Sequence, residues 1–223
     1  MPQRRIQRKK QYPYRKTYRR RDTQLASPSG VPKSRVVSMR YCDIVPITSS
    51  VGAVGVYQFR ANSIFDPNLS GVGHQPMGHD TMSTLYEKNI VLGCKITVQF
   101  SQPYTTTTED IAVGLFIDAD AGISYSSATG LVEARKGPYL TLTGNEQRSK
   151  FLSMNFSSKK FFNLTDMKDN YNSYGAYFGS NPNESAYITV WAQNLQGSTQ
   201  TITATVVIDY IVAVSEPKDL LQS

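Results

Sequence analysis

The sequence predicts an all-β protein: a single eight-stranded jelly-roll β-sandwich with a disordered basic N-terminal arm and one or two short helices in its loops. Three observations lead there. Apolar residues recur with period two in eight separate stretches, the spacing that places them on one face of a strand. Strands of that kind need a second sheet to cover them, and the chain has too few helical patterns to do so. The connections are uneven, with long ones at Phe65–His79, Ala119–Gly137 and Asp166–Glu184. Such crossing loops suit a jelly roll better than the regular hairpins of an up-and-down barrel. A closed barrel is the alternative.

Taken in order, the chain opens on Met1 to Arg21, which carries Arg4, Arg5, Arg8, Lys9, Lys10, Arg15, Lys16, Arg19, Arg20 and Arg21 and no acidic residue. Tyr12, Tyr14 and Tyr18 stand between these charges, and Pro2 and Pro13 discourage a regular element. A segment that repels itself and has little apolar surface to bury is expected to stay disordered until it meets a polyanion. Asp22 to Arg35 is rich in Ser, Pro and Gly and reads as a hinge. Residues 1–35 are thus expected to be arm and hinge, and 36–223 the jelly-roll domain.

The eight strands follow. Val37, Met39, Tyr41 and Val45 share a face that Asp43 interrupts. Tyr57, Phe59 and Ala61 mark the second strand. Leu92, Cys94, Ile96, Val98 and Phe100 give the cleanest alternation. Ile111, Val113, Leu115 and Ile117 come next, then Pro138–Thr143 and the trio Leu152, Met154 and Phe156. Ile188, Val190 and Ala192 flank Trp191. The last strand is the longest, Thr201 to Val214, with Ile202, Ala204, Val206, Ile208, Tyr210, Val212 and Val214 on its even face. A short helix is expected from an N-cap at Asp80, with Met82, Leu85 and Tyr86 on one side, and a helical turn near Leu164 to Lys168.

The charge is unevenly placed. Of 24 basic residues the arm holds ten, leaving 14 against all 17 acidic ones, so residues 22–223 carry a net charge of −3 while the chain as a whole carries +7. Nucleic-acid affinity is therefore expected mainly in the arm. No apolar run is long enough for a membrane-spanning helix, and no apolar stretch follows the basic N-terminus as in a secretory signal, so no membrane insertion is expected. Two cysteines, Cys42 and Cys94, suit buried free thiols in a reducing compartment better than a disulfide framework.

The chemistry of the arm needs no exact geometry. Each Lys or Arg that reaches a phosphate releases a condensed counterion, and the three tyrosines can stack on unpaired bases, which favours a single-stranded ligand. The same segment also reads as a nuclear-localisation signal. Catalysis has little to stand on. His74 and His79 lie in one glycine-rich loop, but Asp80, Cys42 and Cys94 complete no recognised metal-ligand spacing. Asp118 and Asp120 begin like a calcium loop and then lack its glycine and its bidentate carboxylate. No cofactor, metal or catalytic residue is expected. The loop holding Tyr171, Tyr174, Tyr177 and Phe178 is a weaker candidate, for protein contacts.

Several segments resemble one known family. Tyr57-Gln-Phe-Arg-Ala-Asn-Ser-Ile-Phe-Asp-Pro67, then Gly73-His-Gln-Pro-Met-Gly-His-Asp80, Tyr86, Val91-Leu-Gly-Cys-Lys95, Lys159-Lys-Phe-Phe162 and the Glu216-Pro217 ending are similar to the capsid proteins of circular, Rep-encoding single-stranded DNA viruses, the circovirus-like group. His79 stands where many relatives carry an aromatic residue, and Thr81 where Gln is common. The resemblance implies a jelly-roll capsid domain that self-assembles into a T=1-like icosahedral shell of about 60 subunits. It implies an arm that packages circular single-stranded DNA, a place in the virion and in the host nucleus during assembly, and no enzymatic activity. Nuclear import receptors and a cell-surface receptor would then be host partners. The alternatives are a jelly-roll coat protein of a small single-stranded RNA or satellite virus, a cellular non-specific nucleic-acid-binding β protein, and a jelly-roll enzyme or lectin using His74 and His79.

Deleting Met1 to Arg21 is expected to abolish bound nucleic acid and leave the domain folded, checked by absorbance ratio and circular dichroism. Affinity of the intact chain for single strands should fall with salt at a log–log slope near about −7, from roughly −0.7 for each of ten contacts.

Overall fold

The computed structural model describes residues 30–101, 109–144 and 149–219. All thirteen expected binding residues of the arm, from Arg4 to Arg21, lie outside these residues, as does most of the hinge.

Among the described residues, nine strands form two antiparallel sheets. In chain order they are β1 (Ser34–Ser49), β2 (Gly55–Arg60), β3 (Tyr86–Ser101), β4 (Ile111–Asp118), β5 (Tyr139–Leu142), β6 (Lys150–Ser157), β7 (Gly175–Tyr177), β8 (Tyr187–Asn194) and β9 (Gln200–Pro217). One sheet has the order β1-β9-β3-β6, with β7 paired to the start of β3; the other is β2-β8-β4-β5. Successive long strands therefore alternate between sheets, and the chain winds as a jelly roll rather than closing as a barrel. Eight strands sit where the alternation places them. The ninth, β7, is three residues long, too short to show a period.

Between the sheets lies one continuous apolar core. All seven residues of the even face of β9, from Ile202 to Val214, are at most 1% exposed. They meet Tyr41, Val45 and Ile47 of β1 and Ile96, Val98 and Phe100 of β3 within one cluster, opposite Phe59, Val113, Leu115, Ile188 and Val190 of the second sheet. Polar ties also cross this core. The Tyr210 hydroxyl donates to the Arg60 carbonyl at 2.7 Å and the Cys94 thiol to the Ala61 carbonyl at 3.4 Å. Burial raises both the phenol and the thiol pKa.

In four places local chemistry departs from the periodic pattern. A bulge between Val91 and Gly93 inserts one residue into β3, so Val91 points into the core and Leu92 turns outward to pack near Ile90, Met167 and Ala213. The helix α1 (His79–Leu85) is capped by Gly78, held in the left-handed region at φ 90°, rather than by Asp80. Tyr86, expected on that helix, begins β3 and is buried. The turn expected at Leu164–Lys168 is displaced to α3 (Ser158–Phe161), a 3-10 turn at Lys168–Asn170 and α4 (Tyr171–Tyr174), while Leu164 packs against the sheet.

A further helix, α2 (Ala128–Glu133), lies within the long Ala119–Gly137 connection, where no helix is expected from the sequence. Its Ser127 cap accepts from Gly130 N at 3.2 Å. It covers the outer side of β4, where Ala112 and Phe116 pack with Trp191, Ala128 and Leu131. Strand β4 is consequently buried on both faces. Gly114 makes this packing possible, since a Cβ there would lie 2.5 Å from Trp191 Cζ2. Gly114→Ala is expected to destabilise the domain by about 1–3 kcal/mol through overpacking, read as a lower denaturation midpoint at unchanged slope.

Candidate nucleic-acid interface

The antiparallel register brings both ends of the described chain to one end of the sandwich. Ser34 faces Ser215 across β1 and β9, and Tyr86 faces Pro217 across β3 and β9. The start of β1 therefore lies where β9 finishes. The Glu216 N–H donates to the Lys33 carbonyl at 3.2 Å, and the Lys218 N–H to the Leu85 carbonyl at 2.9 Å. These bonds tie the strand ends together.

The tyrosine loop lies at this end of the sheet. Lys88 Nζ sits 5.0 Å from the centre of the Tyr171 ring and 5.3 Å from that of Tyr177, and bonds Glu216 Oε1 at 2.7 Å. The carboxylate raises the Lys88 pKa and holds the ammonium charged, while the two rings add cation–π attraction. The Tyr171 hydroxyl donates to the Ala176 carbonyl, so α4 is fastened to β7. Phe162 and Tyr174 stack at 4.3 Å, joining the Lys159-Lys-Phe-Phe162 segment to the same loop. Glu216 itself has φ 58°, a left-handed conformation for a non-glycine residue.

The glycine-rich loop is built differently. His74 Nδ1 lies 2.8 Å from the Gln75 carbonyl and Nε2 lies 3.0 Å from the Cys42 carbonyl, with the ring 4.8 Å from that of Tyr41. His79 is buried, its Nδ1 bonded to Asp80 at 2.9 Å and its ring 5.2 Å from that of Phe178. The two histidines thus serve separate contacts. Cys94 is buried as expected, but Cys42 is exposed, because it falls on the solvent side of β1. Asp118 pairs with Lys136. Among the described residues, no three His, Cys, Asp or Glu side chains gather as a metal site, and no helix is long and apolar enough to cross a membrane.

Asp43, the break in the β1 alternation, holds a polar knot instead. Its carboxylate accepts from the Tyr41 hydroxyl and from Asn68 Nδ2, each at 2.9 Å, and Asn68 Nδ2 also donates to the Tyr57 hydroxyl. Burial and then the bond to Asp43 raise the Tyr41 pKa. The network binds β1 to the segment after β2, the same segment that carries the family resemblance. A charged residue on an otherwise apolar face was the sequence signal for it.

The chain matches no family model and no curated protein. Among solved structures it is similar to a chain of Desmodium yellow mottle tymovirus at 13% identity, covering 89% of this chain and 97% of that one with a TM-score of 0.42. It is similar to a chain of tobacco necrosis virus at 14% identity, 83% and 97% coverage and a TM-score of 0.43. A mud crab tombus-like virus chain gives 14% identity, 84% and 92% coverage and a TM-score of 0.46. At these values the likeness is one of chain course only, and the jelly roll here stands on its own strand order. The circovirus-like resemblance is not among these similarities.

A neutral imidazole can donate from only one of the two nitrogens of His74, whereas the cation donates to both carbonyls. The Gln75 carbonyl chiefly, then the Cys42 carbonyl and Asp43, raise its pKa against partial desolvation. With the unfolded value near 6.5, the stabilisation is fully present below that pH and is lost as pH rises through the higher folded value. His74→Gln is expected to flatten the change in melting temperature between about pH 6 and pH 8, measured by calorimetry beside the parent protein.

Proposed function

We propose that the chain is a viral coat-protein subunit whose domain assembles with copies of itself into a closed shell and whose arm packages single-stranded nucleic acid. The observation that carries this reading is the division of charge. Ten cations occupy 21 residues, and they join a net-acidic jelly roll at one end. In a closed array such polarity becomes a cationic lining and a less charged outside. About 60 copies would bring on the order of 600 positive charges to the interior, enough to neutralise much of a short genome's phosphate.

The domain surface supports association with copies of itself. Val72 and Met77 are 84% and 86% exposed on the glycine-rich loop, and Ile44, Phe151 and Ile211 are exposed on the outer side of the first sheet. Contacts between copies in a closed shell would cover such side chains. No hydrolytic or redox chemistry is part of this reading. For the cargo, circular DNA rests on the resemblance of the Tyr57–Asp80 region to the circovirus-like group, together with the host nucleus as the site of assembly and with import and surface receptors. Single-stranded RNA is the alternative cargo. The arm recognises phosphates and base faces that both polymers share.

Electron microscopy of the purified full-length protein is expected to show closed particles, and protein that stays monomeric under all assembly conditions would count against a coat. Nuclease typing of the co-purified cargo separates the polymers. Resistance to RNase with sensitivity to DNase is the result for a DNA virus, and the opposite pattern assigns RNA.

A further inference from the structure

We propose that a cleft at the root of the arm is a second nucleic-acid site, one that holds a single nucleotide of the strand the arm collects. The inference rests on the proposed packaging function and assigns part of it to the folded domain. The cleft measures about 280 Å³ and opens between the tyrosine loop and the ends of β1, β3 and β9. This lies at the small end of ligand pockets, which run from roughly 300 Å³ upward. That size suits one base rather than a stacked pair.

Its lining has the mixed character that a nucleotide requires. Ile90, Ala213 and the Tyr171 ring supply apolar surface, and Asn172 offers an amide that can both donate and accept. Lys168 also lines the cleft and is exposed to solvent. Lys88 is turned to Glu216 at 2.7 Å, which leaves the Lys168 ammonium as the group offered to a phosphate. A base against Tyr171 with its phosphate toward Lys168 uses each of these groups. An apolar peptide would use only the floor.

The position argues for the same occupant. Ser34 forms part of the cleft wall and is also the first residue of β1. Arg21, the last cation of the arm, is 13 residues away. Thirteen residue steps can reach at most about 47 Å, from roughly 3.6 Å per residue. A strand held by the arm is therefore presented to the cleft at high effective concentration, and a weak single-nucleotide site is enough to be filled.

The test uses the full-length protein mixed with a bromodeoxyuridine-substituted oligothymidylate, irradiated and mapped by mass spectrometry. Adducts are expected both on the arm tyrosines and on Tyr171. Lys168→Glu should lower the Tyr171 adduct about tenfold relative to the arm adducts, and Tyr171→Ala should remove it, as one stacked base is worth about 1–3 kcal/mol. Tyr171→Phe, which keeps the ring, should retain an adduct at that position. Lys168 is exposed, so its variant still decides the matter if Tyr171→Ala misfolds. Adducts on the arm with none at residues 168–172 would overturn the cleft and leave the packaging function standing. Absence of adducts from both would overturn the two together.

Discussion

Two sheets, each apolar on one face, must hide those faces against one another, and the rest of this molecule follows from that requirement. Strand β9 shows the constraint most plainly. It is 18 residues long, lies between β1 and β3, and keeps every even residue from Ile202 to Val214 out of water. A slip of one residue against either neighbour would turn that whole set toward solvent. The register is therefore held by burial along its full length. With β9 fixed, β1 and β3 are fixed beside it, and the start of β1 and the finish of β9 come together at one end of the sandwich.

Several polar groups admitted to this arrangement tie segments together. Tyr210 reaches across the core to the Arg60 carbonyl, and Asp43 gathers Tyr41 and Asn68. Each satisfies a group that would otherwise be costly to bury. The loop after β2 is thereby attached to β1 at three points: through Asn68 to Asp43, through His74 to the Cys42 carbonyl, and through the Met77 N–H to the Arg40 carbonyl. That loop also carries the exposed Val72 and Met77. Apolar groups presented to the outside thus stand on an anchored scaffold.

Much of the fold was legible because its signal is repetitive. Seven alternating residues in β9 leave little choice of conformation or face. The features that went unread are those that depend on one residue or on distant partners. The bulge at Val91–Gly93 breaks the period of β3 by a single position, so strict alternation assigns Leu92 to the core face while the fold turns it outward. Gly78 outcompetes Asp80 as a cap because the chain arrives there in a left-handed turn, which a propensity for side-chain capping does not register. Helix α2 owes its place to Trp191 and Phe116, which are remote from it in sequence. The candidate site divides in the same manner. Arg and Lys density announces the arm from composition alone, whereas the cleft beside it is assembled from β3, β9, the 3-10 turn and α4, and no single stretch contains it.

The meeting of Ser34 and Ser215 at one end gives the subunit a built-in direction that can be used from outside. The β8–β9 connection, which crosses between the sheets with Gly197 at positive φ, turns at the opposite end. Strand β9 separates the two by about 55 Å, taking roughly 3.3 Å for each residue step. A foreign peptide spliced into that connection would be displayed far from the first residue of β1, whereas one fused after β9 would emerge beside it. The same chain thus offers two attachment points at opposite ends of the sandwich.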